Sequence, residues 1–170
     1  MIARSIRLSF ALATDAEAGA IVALRIATAA DLTKRFGSGH WSGAATERGV
    51  IEGMCDAKIW LARRGASVVG TFRLSTTKPW AIDRSYFAPS QCPLYLTDMA
   101  VQPSLQGRGI GRRCLVKAIE VAIAWPADAI RLDAYDTEAG AGPFYEKCEF
   151  REVGRASYRG VPLVYFQRLI

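Results

Sequence analysis

A run of six residues, Gln106 to Gly111, combines residue types that together bind phosphate groups. Its sequence is Gln-Gly-Arg-Gly-Ile-Gly, with glycine at every second position. Glycine lets the backbone approach a ligand closely, and neighbouring N–H groups then point to one side. A helix is predicted to start near Gly109, and the unpaired N–H groups of a helix start favour an anion. Positive charge around the same point is added by Arg108, Arg112 and Arg113. The run therefore predicts a cradle for a pyrophosphate.

Two common phosphate-binding motifs do not match this run. A P-loop ends in Gly-Lys-Ser/Thr, a tripeptide that is absent from the sequence. A dinucleotide-binding fingerprint needs a third glycine three residues after Gly109, where this chain has Arg112. A tight glycine turn that enters a helix, with arginines that only face water, is the alternative interpretation of these six residues alone.

The residues around the run predict the elements that hold it. Residues 94–101 form a strand, which Pro103 prevents from continuing. Apolar residues recur with helical spacing over 109–125, and Pro126 ends that helix. Residues 129–134 form another strand. This strand–helix–strand unit is long enough to make its two strands parallel neighbours.

The remainder of the chain also interleaves strands and helices. The other predicted elements are a strand over 5–12, a helix from Thr14 to about Phe36, a weaker helix over 44–56, a hairpin over 59–74, a long loop over 76–93 with a short helical piece around 82–87, a short helix near 139–148, and a closing hairpin over 151–169. We therefore expect an α/β (α+β) fold in one domain, residues 1–170.

Composition excludes several classes of protein. The chain has 170 residues, 51% of them hydrophobic and 22% charged, which favours one packed domain over a disordered chain. No window holds about 18 apolar residues, so no membrane span is expected. Arg4 and Arg7 interrupt the apolar stretch that a secretory signal needs, which predicts a cytoplasmic protein.

Metal and nucleic acid are not expected as partners either. The four cysteines are far apart and His40 is the single histidine, so the sequence has no clustered metal ligands. The net charge of +6 is spread along the chain, whereas a nucleic-acid-binding domain gathers its basic residues on one face.

Two segments together carry a family resemblance. The run Leu94–Leu115 resembles the acyl-coenzyme A binding signature of the GNAT superfamily of N-acetyltransferases, in which a strand leads through a proline-containing turn into Gln/Arg-x-x-Gly-x-Gly/Ala. The positions of that motif are filled by Gln106, Gly109 and Gly111. Downstream, Ala141–Phe150 resembles the family's Ala-x-x-Phe-Tyr-x-x-x-Gly-Phe segment. The resemblance covers most of the chain and is strongest over 94–150.

The resemblance implies a fold and a co-substrate. The fold is a mixed, mostly antiparallel central sheet flanked by helices, and the co-substrate is acetyl-CoA, with no metal. In the family, the strand equivalent to 94–101 splays from the strand equivalent to 130–134, and pantetheine enters the gap. The cofactor-binding residues that the resemblance implies are Met99, Ala100 and Val101 for pantetheine, Gln106, Gly107, Arg108, Gly109, Ile110, Gly111 and Arg112 for the pyrophosphate, and Phe144 beside the thioester.

The implied reaction is acetyl transfer to a primary amine of a small molecule or peptide, directly in a ternary complex. Tyr145 matches the tyrosine that the family places beside the coenzyme A sulfur, so we expect it to protonate the leaving thiolate; the alternative is a core aromatic. Asp98 lies where relatives often carry an acid that deprotonates the amine; the alternative is a structural carboxylate. Strand alternation places Asp98 on the same face as Leu96 and Ala100.

Several aromatic residues are candidates for the acceptor side. His40 and Trp41 lie in a glycine-rich loop, in a region that relatives use to wall the acceptor pocket. The loop over 76–93 contributes three more aromatic residues that either line the acceptor side or cover the sheet: Trp80, Tyr86 and Phe87.

The chain departs from the family pattern at two positions. Glu138 stands where the family often has an asparagine that contacts the cofactor, and Glu149 replaces the usual glycine before Phe150. A non-catalytic acyl-CoA-binding or sensor module on the same fold is the rival hypothesis, and Tyr145 argues against it. The acceptor, the general base and the oligomeric state, a homodimer included, stay open.

Overall fold

The computed structural model describes residues 7–170, and its centre is a seven-stranded sheet. The strands are β1 Ser9–Leu12, β2 Ala57–Arg64, β3 Ser67–Ser75, β4 Pro93–Val101, β5 Ala129–Tyr135, β6 Arg151–Tyr158 and β7 Val161–Leu169. The helices are α1 Ala18–Phe36, α2 Glu47–Met54, α3 Ile110–Ala124 and α4 Gly142–Lys147.

The strand order is β1-β2-β3-β4-β5-β7-β6. All neighbouring strands run antiparallel except β4 and β5, which are parallel. This parallel pair is joined through α3, as a crossover between parallel strands requires. The expected α/β architecture, with a mostly antiparallel mixed sheet and one parallel pair, is confirmed.

Helices cover both faces of the sheet. On one face, α3 packs against β3, β4 and β5 through Ile110, Cys114 and Leu115, which are buried in the largest core cluster. On the other face, α1 and α2 pack through Ile21 and Val50 against β2. The sheet is therefore buried between two helical layers, and its middle strands can hold side chains out of water.

Element boundaries differ from expectation mainly at the chain's first strand. The predicted strand over 5–12 begins at Ser9, and residues 5 and 6 lie outside the described part of the chain. Helix α2 is shorter than the predicted 44–56. Helix α3 ends at Ala124, before Pro126, as predicted, and the short helical piece in the 76–93 loop is the 3-10 turn Arg84–Tyr86. Within residues 7–170, every helix is too short or too polar to cross a membrane.

Candidate active site

Strands β4 and β5 pair only at their beginnings. The pairing joins Pro93, Leu94 and Tyr95 to the first residues of β5 and ends there. From Leu96 to Val101, the edge of β4 that faces β5 therefore has no strand partner. The strands diverge around a cavity of about 430 Å³ that is also lined by α1 and α4. The splayed pair that the sequence led us to expect is present.

A β-bulge at Asp98 changes the direction of the side chains in β4. The register with β3 shifts between Thr71 and Arg73, so that Asp98 and Met99 both lie opposite Phe72. Asp98 has φ of 52°, in the left-handed region that L-residues rarely adopt. One strand residue is thus inserted without a partner of its own.

The bulge makes the expected alternation wrong beyond Asp98. Simple alternation puts Leu96 and Met99 on opposite faces, but both pack into the core cluster beneath α3. Asp98 instead contacts α1, where its Oδ2 lies 3.1 Å from Nη2 of Arg25. The physical reason is the extra residue of the bulge. It shifts the alternation by one position, so that side chains after it point to the opposite face of the sheet from the one that simple alternation predicts.

The glycine-rich run forms an open turn at the start of α3. Gly107 and Gly109 have φ of 73° and 79°, and a Cβ placed on either would meet nothing within 4 Å. Within residues 7–170, no main-chain carbonyl accepts a hydrogen bond from the N–H groups of Gly107, Arg108 or Gly109. The first N–H groups of α3 also lack intrahelical acceptors, as in any helix. These amides therefore have no main-chain acceptor within the described residues, and N–H groups of this kind at a helix start favour an anion.

Two exposed arginines flank this turn. Arg108 and Arg112 are exposed, and neither forms an ion pair with a described residue. The side chain of Gln106 donates from Nε2 to the carbonyl oxygen of Val101 at 3.2 Å, which ties the turn to the end of β4. The cradle is thus fixed to β4 and positively charged.

The other two residues of the run have packing roles. Ile110 is buried in the core with 1% of its surface exposed, so that only its backbone is available to a ligand. A Cβ on Gly111 would lie 3.1 Å from Cζ of Phe144, closer than such contacts normally are. The third glycine therefore lets Phe144 pack on the first turn of α3.

Tyr145 reaches the cavity from α4. Its ring packs edge-on against Phe144 with centroids 5.3 Å apart, and its hydroxyl donates to Sδ of Met99 at 3.9 Å. Burial is the main cause that raises the pKa of the phenol well above its usual range, and the charge of Asp133 adds to it. Tyr145 is therefore neutral at physiological pH and keeps its proton, as a proton donor must.

Asp133 is a cavity residue that the sequence analysis did not single out. It lies on β5 opposite Tyr165 of β7 and lines the cavity together with Asp98 and Tyr145. Burial is the main cause that raises the pKa of this carboxyl, and the neighbouring charge of Asp98 raises it further. The sequence did contain a signal, an acidic residue within the apolar strand segment Ile130–Ala134. Burying a carboxylate costs free energy, and buried ionisable groups are therefore candidates for a functional site.

The aromatic residues that the sequence suggested for the acceptor side lie partly at the cavity and partly in the 76–93 loop away from it. Trp41 lines the cavity and packs edge-on against Tyr135, with centroids 5.7 Å apart. His40 packs near the same Tyr135 at 6.3 Å and is not among the residues that line the cavity. In the 76–93 loop, Phe87 belongs to a separate buried cluster and Trp80 is 89% exposed, so this loop covers the sheet.

Comparisons with known proteins agree with this geometry. The sequence matches the model of the acetyltransferase (GNAT) family over residues 27–150. No curated protein matches the sequence. A GNAT-family acetyltransferase structure from Listeria monocytogenes 4b F2365 superposes with a TM-score of 0.74 at 19% identity, covering 100% of this chain and 99% of that chain.

Two further solved structures hold coenzyme A or its acetyl thioester, acetyl-CoA. The yncA protein of Salmonella typhimurium, solved with its cofactor acetyl-CoA, has a TM-score of 0.69 at 14% identity and covers 96% of this chain and 94% of its own. A Bacillus subtilis acetyltransferase in complex with CoA has a TM-score of 0.64 at 19% identity, with 96% and 99% coverage. At these identities the likeness is one of fold.

Proposed function

The chain belongs to the acetyltransferase (GNAT) family, and we propose that it transfers an acetyl group from acetyl-CoA to a primary amine of a small molecule or peptide. We propose direct transfer in a ternary complex, within one domain that spans residues 1–170. The observation that carries this proposal is the continuity of the phosphate cradle with the buried phenol: Phe144 contacts Gly111 at the start of α3 and also packs against Tyr145.

Acetyl-CoA is proposed to bind along the unpaired edge of β4. The backbone of Met99, Ala100 and Val101 would hydrogen-bond the pantetheine amides as a neighbouring strand would, since pairing with β5 ends at Tyr95. The amides from Gln106 to Gly111 would hold the pyrophosphate, with Arg108 and Arg112 beside it. The Salmonella and Bacillus structures, which hold acetyl-CoA and CoA on this fold, support the assignment.

The chemistry needs a polarised carbonyl, a neutral amine and a proton for the departing thiolate. We assign the first task to a β4 amide near Val101 and the third to the hydroxyl of Tyr145, whose raised pKa keeps its proton in place. Asp98 lies on the acceptor side of the cavity, paired with Arg25. The rival function, a non-catalytic acyl-CoA sensor, needs no phenol held at the cavity.

We also propose a cellular location, which the state of the cysteines supports. The four cysteines, Cys55, Cys92, Cys114 and Cys148, are all unpaired in the structure. Free thiols are usual in a reducing compartment, which supports a cytoplasmic location.

A thiol-release screen tests the function. Wild-type protein and acetyl-CoA are incubated with panels of primary amines, amino acids and peptides, and release of CoA is followed beside the mass of the product. We expect CoA release and an acetylated amine in equal amounts for at least one acceptor class. Binding of acetyl-CoA with no transfer to any class would favour the sensor, and no binding at all would refute the proposal.

A further inference from the structure

A second cavity, of about 480 Å³, lies where β4 and β5 begin and are still paired. It is lined by residues of the 76–93 loop, of the first part of β4, of the turn after α3 and of β5. The active-site cavity lies further along the same two strands, where they have diverged, and the two cavities share no lining residue. The second cavity is therefore a separate space, of a size that small ligands occupy.

The residues that line the second cavity give it a positive charge. Arg84 and Arg131 are among them, and no described Asp or Glu is. The carboxylate of Asp128 lies close by, but it accepts hydrogen bonds from three groups of residues 90–92 and is thus used to hold that part of the loop. An anion that enters the second cavity therefore meets two arginines and no carboxylate on its lining.

The side chain of Arg131 is buried without a carboxylate partner. Its exposed fraction is 5%, and it lies on β5 between Tyr95 of β4 and Gln167 of β7, its register partners in the sheet. No Asp or Glu of residues 7–170 forms an ion pair with it. Burying a charge costs free energy, and arginine is almost never fully buried unless it is paired. A bound anion is the partner that this position lacks.

The contacts of the Arg131 guanidinium leave part of it unused. Nη2 donates to the carbonyl oxygen of Ala88 at 2.8 Å, and the guanidinium carbon lies 5.0 Å from the centre of the Phe87 ring. These contacts hold the loop over the sheet but bring no negative charge. Nε is enclosed without a hydrogen-bond partner, and Nη1 also has no partner in the described part of the chain, although it is not enclosed. Nη1 is thus the nitrogen that an incoming group can reach.

Tyr95 adds a second unused polar group beside Arg131. Its exposed fraction is 1%, and its hydroxyl is enclosed with no hydrogen-bond partner among the described residues. Tyr95 and Arg131 are partners in the parallel pair, so their side chains lie on the same face of the sheet. Buried polar groups are normally hydrogen-bonded. Two unsatisfied neighbours that line one cavity therefore indicate a site for a polar ligand.

We propose that the second cavity binds a small molecule through a phosphate or carboxylate group that is held by Arg131 and Arg84. The planar guanidinium of Arg131 supplies directional hydrogen bonds, which suit both kinds of oxyanion. Arg84 is exposed, forms no ion pair with a described residue, and adds positive charge from the 76–93 loop. The site lies at the other end of the parallel pair from the acetyl-CoA site and goes beyond the proposed transferase function.

A nuclear magnetic resonance titration of the full chain tests this site. Inorganic phosphate and succinate are the two probes, added separately, and sodium chloride at matched ionic strength is the blank. The signals that report on the second cavity are the side-chain Nε–H of Arg131 and the backbone N–H groups of residues 91, 92 and 95. The amides of Gly107 and Gly109 report on the phosphate cradle, so that binding there is distinguished from binding at the second cavity.

We expect saturable shifts at the second cavity with at least one probe, and the probe that binds more tightly identifies the class of anion. Arg131→Met removes the guanidinium and weakens binding by about 10–100-fold, the range for a hydrogen bond to a charged group. Arg84→Met weakens it by about two- to fivefold, because an exposed charge contributes less. Arg64→Met is the matched control for Arg84→Met, since Arg64 is also exposed and lines neither cavity, and it leaves the affinity unchanged.

Three outcomes overturn the inference. They are the absence of saturable shifts at the second cavity with both probes, shifts confined to Gly107 and Gly109, and binding that Arg131→Met and Arg84→Met leave unchanged. If Arg131→Met does not fold, Arg131→Lys takes its place, because it keeps a positive charge without the planar fork and is also expected to weaken binding. The titration uses neither acetyl-CoA nor an acceptor, so its result is independent of the proposed function.

Discussion

Nη2 of Arg25 lies 3.1 Å from Oδ2 of Asp98, which ties the first helix to the bulge in the central strand. The contact fixes the wall of the cavity on the acceptor side, because α1 is held against β4 at the point where β4 leaves β5. It also neutralises one of the two cavity carboxylates. The electrostatic field at Asp133 therefore depends on Arg25, although Arg25 is on a different element.

Replacing Arg25 tests this dependence. In Arg25→Met, the charge of Asp98 is no longer balanced, and its repulsion raises the pKa of Asp133 further. We therefore expect the pKa of the Asp133 carboxyl, followed by NMR titration of its side chain, to rise further in Arg25→Met, with Arg25→Lys close to wild type because it keeps the positive charge. A pKa of Asp133 that falls in Arg25→Met would contradict this electrostatic link.

Gly109 and Gly160 provide a matched pair for the phosphate cradle. Both have φ of 79°, and a Cβ on either meets nothing within 4 Å, but only Gly109 lies at the start of α3. Valine at either position strains the backbone by about 1–2 kcal/mol. We expect both variants to lose stability by similar amounts, while Gly109→Val alone loses the rise in melting temperature that acetyl-CoA gives to the folded protein.

The measurement is a thermal melt of each variant with and without saturating acetyl-CoA. Equal ligand-induced shifts in the two variants would show that the glycines serve only the turn. Desulfo-CoA in place of acetyl-CoA separates binding of the pyrophosphate from binding of the acetyl group.

The parts of the site that were predictable are those encoded in adjacent residues. The turn from Gln106 to Gly111 depends on glycine spacing within one helix turn, and Tyr145 follows from a local pattern on a short helix. Alternation wrongly predicted that Asp98 shares a face with Leu96, because the bulge arises from the register with β3, a strand distant in the chain. Asp133 was missed because its desolvation depends on packing from several distant elements. The alternation of residues within one strand contains no information about its register with a neighbouring strand or about the packing of distant elements against it.

Glu149, which stands where the family usually has glycine, adopts a backbone conformation that favours glycine. Its φ is 66°, in the left-handed region, and its Oε2 accepts a hydrogen bond from Nη1 of Arg168 at 2.7 Å. Comparison of Glu149→Gly with Glu149→Ala separates these two features, since both variants lose the ion pair. We expect the glycine variant to be more stable by about 1 kcal/mol in urea unfolding, because only alanine keeps a Cβ at positive φ. An alanine variant of equal stability would contradict this account.

The stability of the protein should depend on pH through Asp133 in a defined direction. A pKa raised above the usual 3.8 means that the folded state holds the proton more tightly than the unfolded chain. The free energy of unfolding therefore falls as pH rises from about the usual value through the raised one, and the loss persists at neutral pH. Asp133→Asn has no carboxyl to ionise and therefore avoids this loss. We expect the free energy of unfolding of this variant to match or exceed that of wild type at neutral pH, and the difference to disappear in acid.

Asp128 is the control for this prediction, because the pKa of its carboxyl is lowered whereas that of Asp133 is raised. Hydrogen bonds from the hydroxyl of Ser90 and from the N–H groups of Gln91 and Cys92 lower the pKa of its carboxyl. Its contribution to stability is present above the ordinary aspartate pKa and is lost as pH falls through the lowered value. Urea unfolding at several pH values should thus show Asp128→Asn less stable than wild type at neutral pH. The same sign of change in both variants would contradict the assignment of the two environments.

The last prediction concerns the hydroxyl of Tyr145. If it protonates the leaving thiolate, Tyr145→Phe keeps the ring contacts with Phe144, Phe150 and Phe166 and the affinity for acetyl-CoA, but lowers kcat. General-acid effects are typically of order 10²–10⁴-fold, so a loss near that range is easily measured. A fall in kcat and kcat/KM together, with unchanged binding of acetyl-CoA, identifies a contact made mainly in the transition state.

Tyr165→Phe is the matched control for this substitution. The hydroxyl of Tyr165 is also buried, but it donates to the carbonyl oxygen of Ala81 at 2.5 Å, away from the cavity. Its removal should lower the free energy of unfolding by about 1 kcal/mol and leave kcat unchanged. Tyr145 loses only a weak donation to Met99 Sδ, so its phenylalanine variant should show the reverse, a large loss in kcat with little loss in stability. Turnover of Tyr145→Phe near the wild-type rate, where chemistry limits, would assign Tyr145 to packing and leave water or the acceptor amine as the source of the proton.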